Sequence, residues 1–299
     1  MMIQPDPQPA GAVIQCERVV KIYRVGSTDV PALAGLDLSV DHGEMVGVIG
    51  PSGCGKSTLL NVIGGLISPT SGVVVIDGED LASMSQNELD RFRRERVGFV
   101  WQDTARNLLP YLDARANVAL PLRLAGTDHA AYRAQQLLEL VGLGDRALHV
   151  PSRLSGGQQQ RAAIAVALAN SPSLLLADEP TGSLDGETSK EIYQTLREVN
   201  RELGLTVFIV SHDPNMASVV DRVVELRDGQ SAMEHRGEDQ PDDGSVVLLV
   251  DTLGRIRVPD GFRESLGIGG RVEARVEEGK VTLVPVDAPK RETRRDFRD

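Results

Sequence analysis

The feature that most constrains the fold of this chain is a glycine-rich loop between an apolar strand-like run and an apolar helix-like run. The loop reads Gly50-Pro51-Ser52-Gly53-Cys54-Gly55-Lys56-Ser57-Thr58 and fits the pattern G-x-x-x-x-G-K-[ST] at every fixed position. The run Met-Val-Gly-Val-Ile precedes it at 45–49, and a helical pattern begins at Leu59. A match in this strand–loop–helix context indicates a phosphate-binding loop in an α/β nucleotide-binding domain.

The loop has the chemistry that a bound triphosphate requires. Glycines allow backbone N–H groups to turn toward an anion, and the N-terminus of the following helix adds its positive dipole end. Lys56 supplies a charge for the β- and γ-phosphates, and the Ser57 hydroxyl is a ligand for Mg²⁺. We therefore predict that the chain binds a nucleoside triphosphate with Mg²⁺. The residues expected to contact the nucleotide are Gly50, Ser52, Gly53, Cys54, Gly55, Lys56, Ser57 and Thr58.

A second element suits the same reaction. The apolar run 173–177 ends in Asp178-Glu179. Carboxylates at the C-terminal end of a central parallel strand face the ligand crevice of an α/β sheet. We predict that Asp178 holds Mg²⁺ and that Glu179 orients and polarises the attacking water. An acidic pair after a strand is more often the start of a solvated loop, and the phosphate loop is what favours the catalytic interpretation.

Composition and charge narrow the class of protein. With 41% hydrophobic and 25% charged residues, the chain is an ordinary globular one. It contains no run approaching the roughly 18 to 20 apolar residues of a membrane helix, and its start lacks the features of a secretory signal. Two cysteines, Cys16 and Cys54, provide no disulfide framework. We expect a cytoplasmic protein that another subunit would hold at the membrane.

The net charge of −11 disfavours nucleic-acid binding by most of the chain. The acidic excess lies in the first 244 residues, whereas residues 245–299 carry nearly equal numbers of acidic and basic side chains. Charge therefore leaves the role of the C-terminal part open.

The sequence divides at a polar, acidic run over 236–244, which predicts a linker. Before it, apolar runs at 45–49, 73–76, 174–177 and 206–210 alternate with helical patterns, which indicates an α/β domain with a largely parallel sheet. We expect an ATPase domain over 13–235, a small, mostly β domain over 245–286 and a disordered tail over 287–299.

A further motif, Leu154-Ser155-Gly156-Gly157-Gln158, stands before another apolar helical pattern. Small residues and a hydroxyl at a helix N-terminus form a second anion site. Because the phosphate loop is already complete, such a site makes sense if each chain completes the nucleotide site of a partner. With this motif the chain resembles the ABC ATPase family, whose signature it is. The resemblance implies a P-loop ABC-type ATPase domain with an antiparallel β subdomain and a helical subdomain.

The resemblance assigns four further residues. Gln102 resembles the Q-loop glutamine, which touches Mg²⁺ or the lytic water, and Asp185 belongs to a D-loop that crosses the dimer interface. His212 resembles the switch histidine near the γ-phosphate, and Tyr23 resembles the aromatic residue that stacks on adenine. As isolated residues, a histidine would more often be structural and a tyrosine would more often belong to the core.

Several stretches resemble the lipoprotein-releasing and macrolide-exporter branch of the family. The similarity runs from about 13 to 229 and includes the stretches 31–33, 107–110, 117–122 and 178–185. The chain departs at Trp101, where phenylalanine is usual, at Val166, where arginine is common, and at Ser183, where asparagine is common. None of these departures removes a catalytic group, so we expect an active ATPase.

The family also implies a mode of action. Two copies would close head to tail around two ATP molecules, with Lys56 and its loop facing Ser155, Gly157 and Gln158 of the other copy. The dimer would drive a separate membrane permease, for export, lipid or lipoprotein extraction, or mechanotransmission. The segment between Gln102 and Leu154 is expected to be helical and to dock on that permease. The expected docking positions are Leu108, Leu109, Tyr111 and Leu112, for which core packing is the alternative.

The C-terminal part has a pattern of its own. Gly254-Arg255-Ile256-Arg257-Val258-Pro259 precedes a short helical pattern, and Glu278-Gly279 marks a turn between two alternating runs. Residues 245–286 resemble the swapped-hairpin domain of transition-state regulators and antitoxins. A dimerisation module is favoured. The alternative is an ATPase-linked regulator that binds DNA, with the contacts expected at Arg255, Arg257, Arg263 and Arg271.

Overall fold

The computed structural model describes residues 11–236, 247–248, 272–277 and 280–285, with side chains described up to residue 231. Its helices are α1 (Lys56–Ile63), α2 (Gln86–Glu95), α3 (Ala114–Leu124), α4 (Ala130–Leu140), α5 (Gly156–Ala167) and α6 (Gly186–Leu203). Its strands are β1 (Ala12–Val25), β2 (Thr28–Asp41), β3 (Met45–Ile49), β4 (Ser71–Ile76), β5 (Glu79–Asp80), β6 (Val97–Trp101), β7 (Leu174–Asp178), β8 (Thr206–Val210), β9 (Arg222–Arg227), β10 (Gln230–Arg236), β11 (Val247–Leu248), β12 (Val272–Glu277) and β13 (Lys280–Pro285).

The main sheet has seven strands in the order β11-β10-β9-β3-β8-β7-β6. The strands from β9 to β6 in this order are parallel, while β10 and β11 add antiparallel pairs at one edge. The central strands are largely apolar, as expected of strands covered on both faces, and every residue of β8 is buried. The carboxyl ends of β3, β7 and β8 therefore meet at one edge, where the predicted site residues follow them.

A second sheet is antiparallel, with four strands in the order β2-β1-β4-β5. It contains the run 73–76, so the expectation that this run belongs to the parallel sheet is wrong. β4 pairs with β1 in an antiparallel register that joins Ile14 to Ile76. Val74 and Ile76 pack into the same core as α1, while Val73 on the opposite face is 41% exposed. An apolar run shows that a strand is half-buried or buried, but its partner strand is set by distant residues.

The segment between Gln102 and Leu154 is helical, as expected, with α3 and α4 followed by two short 3₁₀ turns. The buried Asn117 holds the preceding loop, since its Nδ2 donates to the carbonyl oxygens of Leu109, Leu112 and Asp113. Leu108 is buried in the core and is therefore no docking position, whereas Tyr111 is 74% exposed. The apolar pattern could not separate these two because both lie in an irregular loop.

In the C-terminal part, β12 and β13 form the predicted antiparallel hairpin, with Glu277 opposite Lys280. β11 pairs with β10 at the edge of the main sheet. The remaining C-terminal predictions fall on residues outside the described ranges, including those for Arg255, Arg257, Arg263 and Arg271. Among the helices of the described residues, none has the length and apolar character needed to cross a membrane.

Candidate active site

The glycine-rich loop joins β3 to α1, and Lys56 is the first residue of that helix. Gly55 precedes it with φ of 107°, and Gly50 has φ of 155°. A Cβ atom on Gly50 would overlap the carbonyl oxygen of Leu226, and one on Gly55 would overlap that of Ala32. These two glycines are thus required by neighbouring backbone, which packs the loop tightly against β2 and β9.

Lys56 lies over its own loop. Its Nζ donates to the carbonyl oxygens of Gly50 at 2.8 Å and Pro51 at 3.0 Å. The ammonium group is therefore held at the mouth of the loop by neutral acceptors. Phosphate oxygens are stronger acceptors, because a hydrogen bond between two charged groups is about twice as strong as one between neutral groups.

Ser57 connects α1 to the end of β7. Its Oγ donates to Oδ1 of Asp178 at 3.1 Å. A hydroxyl and a carboxylate side by side form the all-oxygen ligand set that Mg²⁺ prefers, so the residues fit this ion. Burial raises the pKa of the Asp178 carboxyl, and the charge of Glu179 adds to the rise. The hydrogen bond from Ser57 and the charges of Arg106 and Lys56 oppose it.

Glu179 follows directly, with an uncommon positive φ of 49°. Its N–H donates to the carbonyl oxygen of Val210, which fixes the residue against β8. Its Oε2 accepts hydrogen bonds from Ser211 Oγ at 3.2 Å and from the His212 N–H at 3.3 Å. His212 Nδ1 lies 2.9 Å from the same oxygen, and the imidazole is 73% exposed while the Glu179 side chain is 18% exposed. The structure thus pairs the predicted base with the predicted switch histidine.

Gln102 follows β6 and lines a cleft of about 430 Å³. The lining residues are Trp101, Gln102, Asp103, Thr104, Arg106, Asp178 and Ser183. The structure therefore brings Gln102 and Asp178, two of the three predicted metal ligands, to one cleft, and Ser57 bonds to Asp178.

Sequence reasoning missed Arg106, which lines the same cleft. Its guanidinium lies 3.6 Å from the centre of the Trp101 ring, and that ring stacks on Phe99 with centroids 5.1 Å apart. An arginine five residues after an aromatic residue is the sequence signal, but the 3₁₀ turn Thr104–Arg106 that returns it to the ring could not be anticipated.

Ser155, Gly157 and Gln158 lie at the N-terminus of α5. Ser155 Oγ accepts from the Gln158 N–H, and Gln158 Oε1 accepts from the Ser155 N–H, which forms a capping box. The three residues line a different cleft, of about 390 Å³. The other lining residues are Gly142, Leu143, Asp145, Arg146, Arg161, Thr188 and Glu191. The signature residues therefore line a different cleft from Gln102 and Asp178.

Asp185 caps α6 beside that second cleft. Its carboxylate accepts from the Thr188 N–H at 3.0 Å and from the Thr188 hydroxyl at 2.8 Å. These hydrogen bonds lower the pKa of Asp185. Asp185 thus lies with the signature residues, as a D-loop residue at an interface would.

Two glutamines next to the signature were also missed. Gln160 is buried, and its Nε2 donates to the carbonyl oxygen of Trp101 at 3.2 Å. Gln159 Oε1 accepts from Thr104 Oγ1 at 3.1 Å. Together they connect α5 to both sides of Gln102. Their positions after the signature gave no indication of these partners, which are more than 50 residues away in sequence.

Tyr23 lies on β1 opposite Val30 and is 39% exposed. Ala32 lies two residues after Val30 on β2, and its carbonyl oxygen packs against Gly55. Lys21 Nζ lies 5.4 Å from the centre of the Tyr23 ring. The antiparallel sheet thus places Tyr23 on the strand pair that borders the phosphate loop.

Comparison with known proteins agrees with this geometry. The family described as ABC transporter matches residues 33–182. The lipoprotein-releasing system ATP-binding protein LolD 2 of Caulobacter vibrioides is 46% identical over 224 residues, which are 74% of this chain and 97% of that protein. The macrolide export ATP-binding/permease protein MacB of Syntrophobacter fumaroxidans is 45% identical over 221 residues, which are 73% of this chain. The chain spans only 31% of the exporter's length.

Solved structures give the same result. The dimeric post-hydrolysis state of the ATP-binding cassette MJ0796 bound to ADP and Pi is 42% identical, with a TM-score of 0.68, and covers 75% of this chain and 98% of that chain. The predicted α/β P-loop fold with an antiparallel sheet and a helical part is confirmed, as are ATP binding and the branch resemblance. The chain belongs to the ABC transporter family and is an ATP-binding subunit with ATPase activity.

Proposed function

We propose that two copies of this chain close head to tail around two Mg-ATP molecules and so drive a separate membrane permease. One observation carries the proposal. Asp178, to which Ser57 Oγ donates, lines one cleft together with Gln102, while the signature residues line another cleft. A single chain thus holds two half-sites, and a second copy in inverted orientation can complete both. The dimeric MJ0796 cassette structures support this arrangement.

Each predicted residue has a role in this proposal. Lys56 binds the β- and γ-phosphates, Ser57, Asp178 and Gln102 hold Mg²⁺, and Tyr23 stacks on adenine. Mg²⁺, when bound, neutralises charge on the phosphates. Glu179 orients and polarises the attacking water, and His212 contacts the γ-phosphate region. The remaining nucleotide contacts are Gly50, Ser52, Gly53, Cys54, Gly55 and Thr58 from one copy and Ser155, Gly157, Gln158 and Asp185 from the other.

The permease in this proposal is a different chain. The relatives' names support it: MacB is an ATP-binding/permease protein of which this chain matches 31%, and LolD 2 is an ATP-binding protein matched over 97% of its length. The exposed Tyr111 in the helical segment is a suitable docking position. The subunit would then act from the cytoplasm, at the inner face of the membrane. The reported relatives do not support the alternative of a DNA-binding regulator.

We propose further that the ATPase domain extends over 13–235 and that a swapped-hairpin dimerisation domain lies within 245–286, of which β11 pairs with β10 at the edge of the main sheet. The expected linker over 236–244, apart from Arg236, and the expected tail over 287–299 lie outside the described residues. The β12–β13 hairpin supports this, because it has the strand–turn–strand order that such a domain contains. A two-stranded hairpin is marginally stable alone, so a partner copy would supply the missing core.

The test uses the Glu179→Gln variant, which keeps every other ligand of the nucleotide. With Mg-ATP we expect it to elute as a dimer on gel filtration and to hydrolyse ATP far more slowly than wild type. The matched control is Glu187→Gln, at an exposed position on α6, which should hydrolyse ATP normally. A Glu179→Gln protein that remains monomeric with Mg-ATP, or that turns over normally, would contradict the proposal.

The permease is tested with the same variant, tagged and purified with Mg-ATP from its own cells. An integral membrane protein that co-purifies with Glu179→Gln, and is lost when Mg-ADP replaces Mg-ATP, is the expected result. Recovery of DNA, or of partners without a membrane protein, would favour the regulator instead.

A further inference from the structure

A chain of buried hydroxyl groups runs behind Glu179. Ser211 Oγ donates to Glu179 Oε2 at 3.2 Å. The Tyr193 hydroxyl lies 3.0 Å from Ser211 Oγ and 2.9 Å from Thr181 Oγ1. Tyr193, Ser211 and Thr181 are all buried, and Tyr193 comes from the middle of α6. The group that orients the predicted base is therefore itself held by a side chain from another element.

The chain of contacts ends at a second carboxylate. Thr181 Oγ1 donates to Asp213 Oδ2 at 3.2 Å, and the Asp213 N–H donates back to Ser211 Oγ at 3.0 Å. Asp213 also caps the 3₁₀ turn Pro214–Ser218. Four contacts thus join Glu179 to Asp213 through three hydroxyl groups.

Tyr193 supplies the hydrogen for the inner part of this chain of contacts. A hydroxyl group has one hydrogen to donate. Ser211 and Thr181 donate theirs to the two carboxylates, so the Tyr193 hydrogen is the only one left for the two inner contacts. When it points to Ser211, that oxygen is fully satisfied and its own hydrogen stays on Glu179. Ser211 Oγ also accepts from the Asp213 N–H, so Tyr193 is then one of two donors that hold this oxygen, and the contact between Tyr193 and Thr181 has no hydrogen.

The phenol remains a donor. Burial raises the pKa of Tyr193, hydrogen bonds with Ser211 and Thr181 lower it, and the charges of Asp213 and Glu179 raise it again, with a net rise. The hydroxyl therefore keeps its hydrogen at neutral pH.

We propose that Tyr193 is a positioning residue for ATP hydrolysis, whose hydroxyl holds Ser211 on Glu179 and thereby fixes the carboxylate that acts on the attacking water. The inference rests on the proposed role of Glu179. Tyr193 also contacts Thr181, four residues before Asp185, so the tyrosine lies between the base and the segment that would face the partner copy.

The first test replaces the hydroxyl alone, in Tyr193→Phe. The ring continues to fill the core, so binding of ATP should be preserved. We expect kcat to fall about threefold to tenfold, in line with the loss of one neutral hydrogen bond, with KM for ATP unchanged within about twofold. The control is Thr195→Val on the same helix, a buried position whose hydroxyl bonds to the Glu191 carbonyl oxygen, and its kcat should equal that of wild type.

A double-mutant cycle separates positioning from general destabilisation. If Tyr193 acts through Ser211, then Tyr193→Phe should change kcat by less than about twofold in a Ser211→Ala background. An equal fall in both backgrounds overturns the inference. Ser211→Ala alone should lower kcat, and Ser211→Thr, which keeps a hydroxyl, should restore most of it. If Ser211→Ala leaves kcat unchanged, the inference is overturned whether or not Tyr193→Phe can be purified.

Glu179→Gln is measured in parallel to distinguish the role of Glu179 from that of Tyr193. Normal turnover by Glu179→Gln would remove the proposed role of Glu179 itself, and the role of Tyr193 with it. An inactive Glu179→Gln together with wild-type kcat in Tyr193→Phe would leave the proposed function standing and overturn only the positioning role.

Discussion

At the scale of single residues, Lys56 is held in place by its own loop in the proposed phosphate site. Its ammonium group already contacts two carbonyl oxygens of its own loop. These bonds hold the side chain in place, so a phosphate can replace or join neutral acceptors without a large rearrangement. The charge-assisted bonds that result are the stronger ones.

Replacing this side chain should therefore abolish the ammonium contact and little else. We expect Lys56→Ala to bind ATP at least about tenfold more weakly and to lose turnover, because a hydrogen bond to a charged group contributes about 1.5–3 kcal/mol. Calorimetric titration with ATP measures the affinity. The fluorescence of Trp101, the only tryptophan in the chain, provides a second signal from the cleft that Gln102 and Asp178 line.

The control for this prediction is Lys190→Ala, on the exposed side of α6, where the lysine pairs with Glu187. It removes the same charge without touching the loop, so its affinity for ATP should equal that of wild type. Normal ATP turnover by the Lys56→Ala variant would contradict the assignment of this loop as the phosphate-binding loop.

At the scale of elements, α5 has two tasks. Its first residues form the capping box at Ser155, and the next turn holds the segment around Gln102 through Gln159 and Gln160. Val166, further along the helix, is a partly buried residue that packs against the core. The departure from arginine there thus creates an apolar contact. One helix therefore connects Ser155 and Gln158 to the residues on either side of Gln102.

We expect Gln160→Met to weaken this connection. The substitution keeps the length of the side chain but leaves the carbonyl oxygen of Trp101 without its donor, which should lower the free energy of unfolding by about 1–3 kcal/mol. The ATPase rate should also fall, because Gln102 follows Trp101 directly. Urea unfolding and steady-state ATPase assays measure the two effects.

Gln136→Met provides the matched comparison, since Gln136 lies partly exposed on α4 and bonds only weakly, at 3.4 Å, to Tyr132. It should change neither stability nor turnover. If Gln160→Met also leaves stability and turnover unchanged, the bond from α5 to Trp101 has no role in connecting α5 to the segment around Gln102.

At the scale of the whole molecule, the separation of the two clefts makes oligomeric state the central question. ATP-driven closure would join the ATPase domains, whereas residues 245–286 would join two chains without nucleotide. We expect the full-length protein to be a dimer by light scattering in the absence of ATP. A monomer under these conditions would refute the dimerisation role of the C-terminal part.

The alternation of apolar and polar residues along β12 allows a more specific test of the nucleotide-free dimer. Val276 belongs to the apolar set of the pattern and Arg275 to the polar set. Val276→Asp should therefore abolish the nucleotide-free dimer, while Arg275→Asp should preserve it. If both variants remain dimeric, the hairpin is not the interface.

Local spacing predicted much of this protein. Four features could be predicted from neighbouring residues, because each is a turn or cap within one short segment. They are the phosphate loop, the acidic pair after β7, the signature before α5 and the β12–β13 hairpin. The fold class followed, since apolar runs that alternate with helical patterns favour a parallel sheet. For the site, the sequence indicated which chemical groups are present.

Other features depend on residues far apart in sequence. Local pattern could not predict the sheet to which 73–76 belongs or the burial of Leu108. It also could not predict the stacking of Arg106 on Trp101 or the bond from Gln160 to the carbonyl oxygen of Trp101. Tyr193 is the clearest example of such a feature, because its sequence position predicts only an apolar residue of an amphipathic helix. Only the packing of α6 against β8 brings its hydroxyl between Thr181 and Ser211, because hydrogen-bond partners are set by distance in space, which local spacing cannot specify.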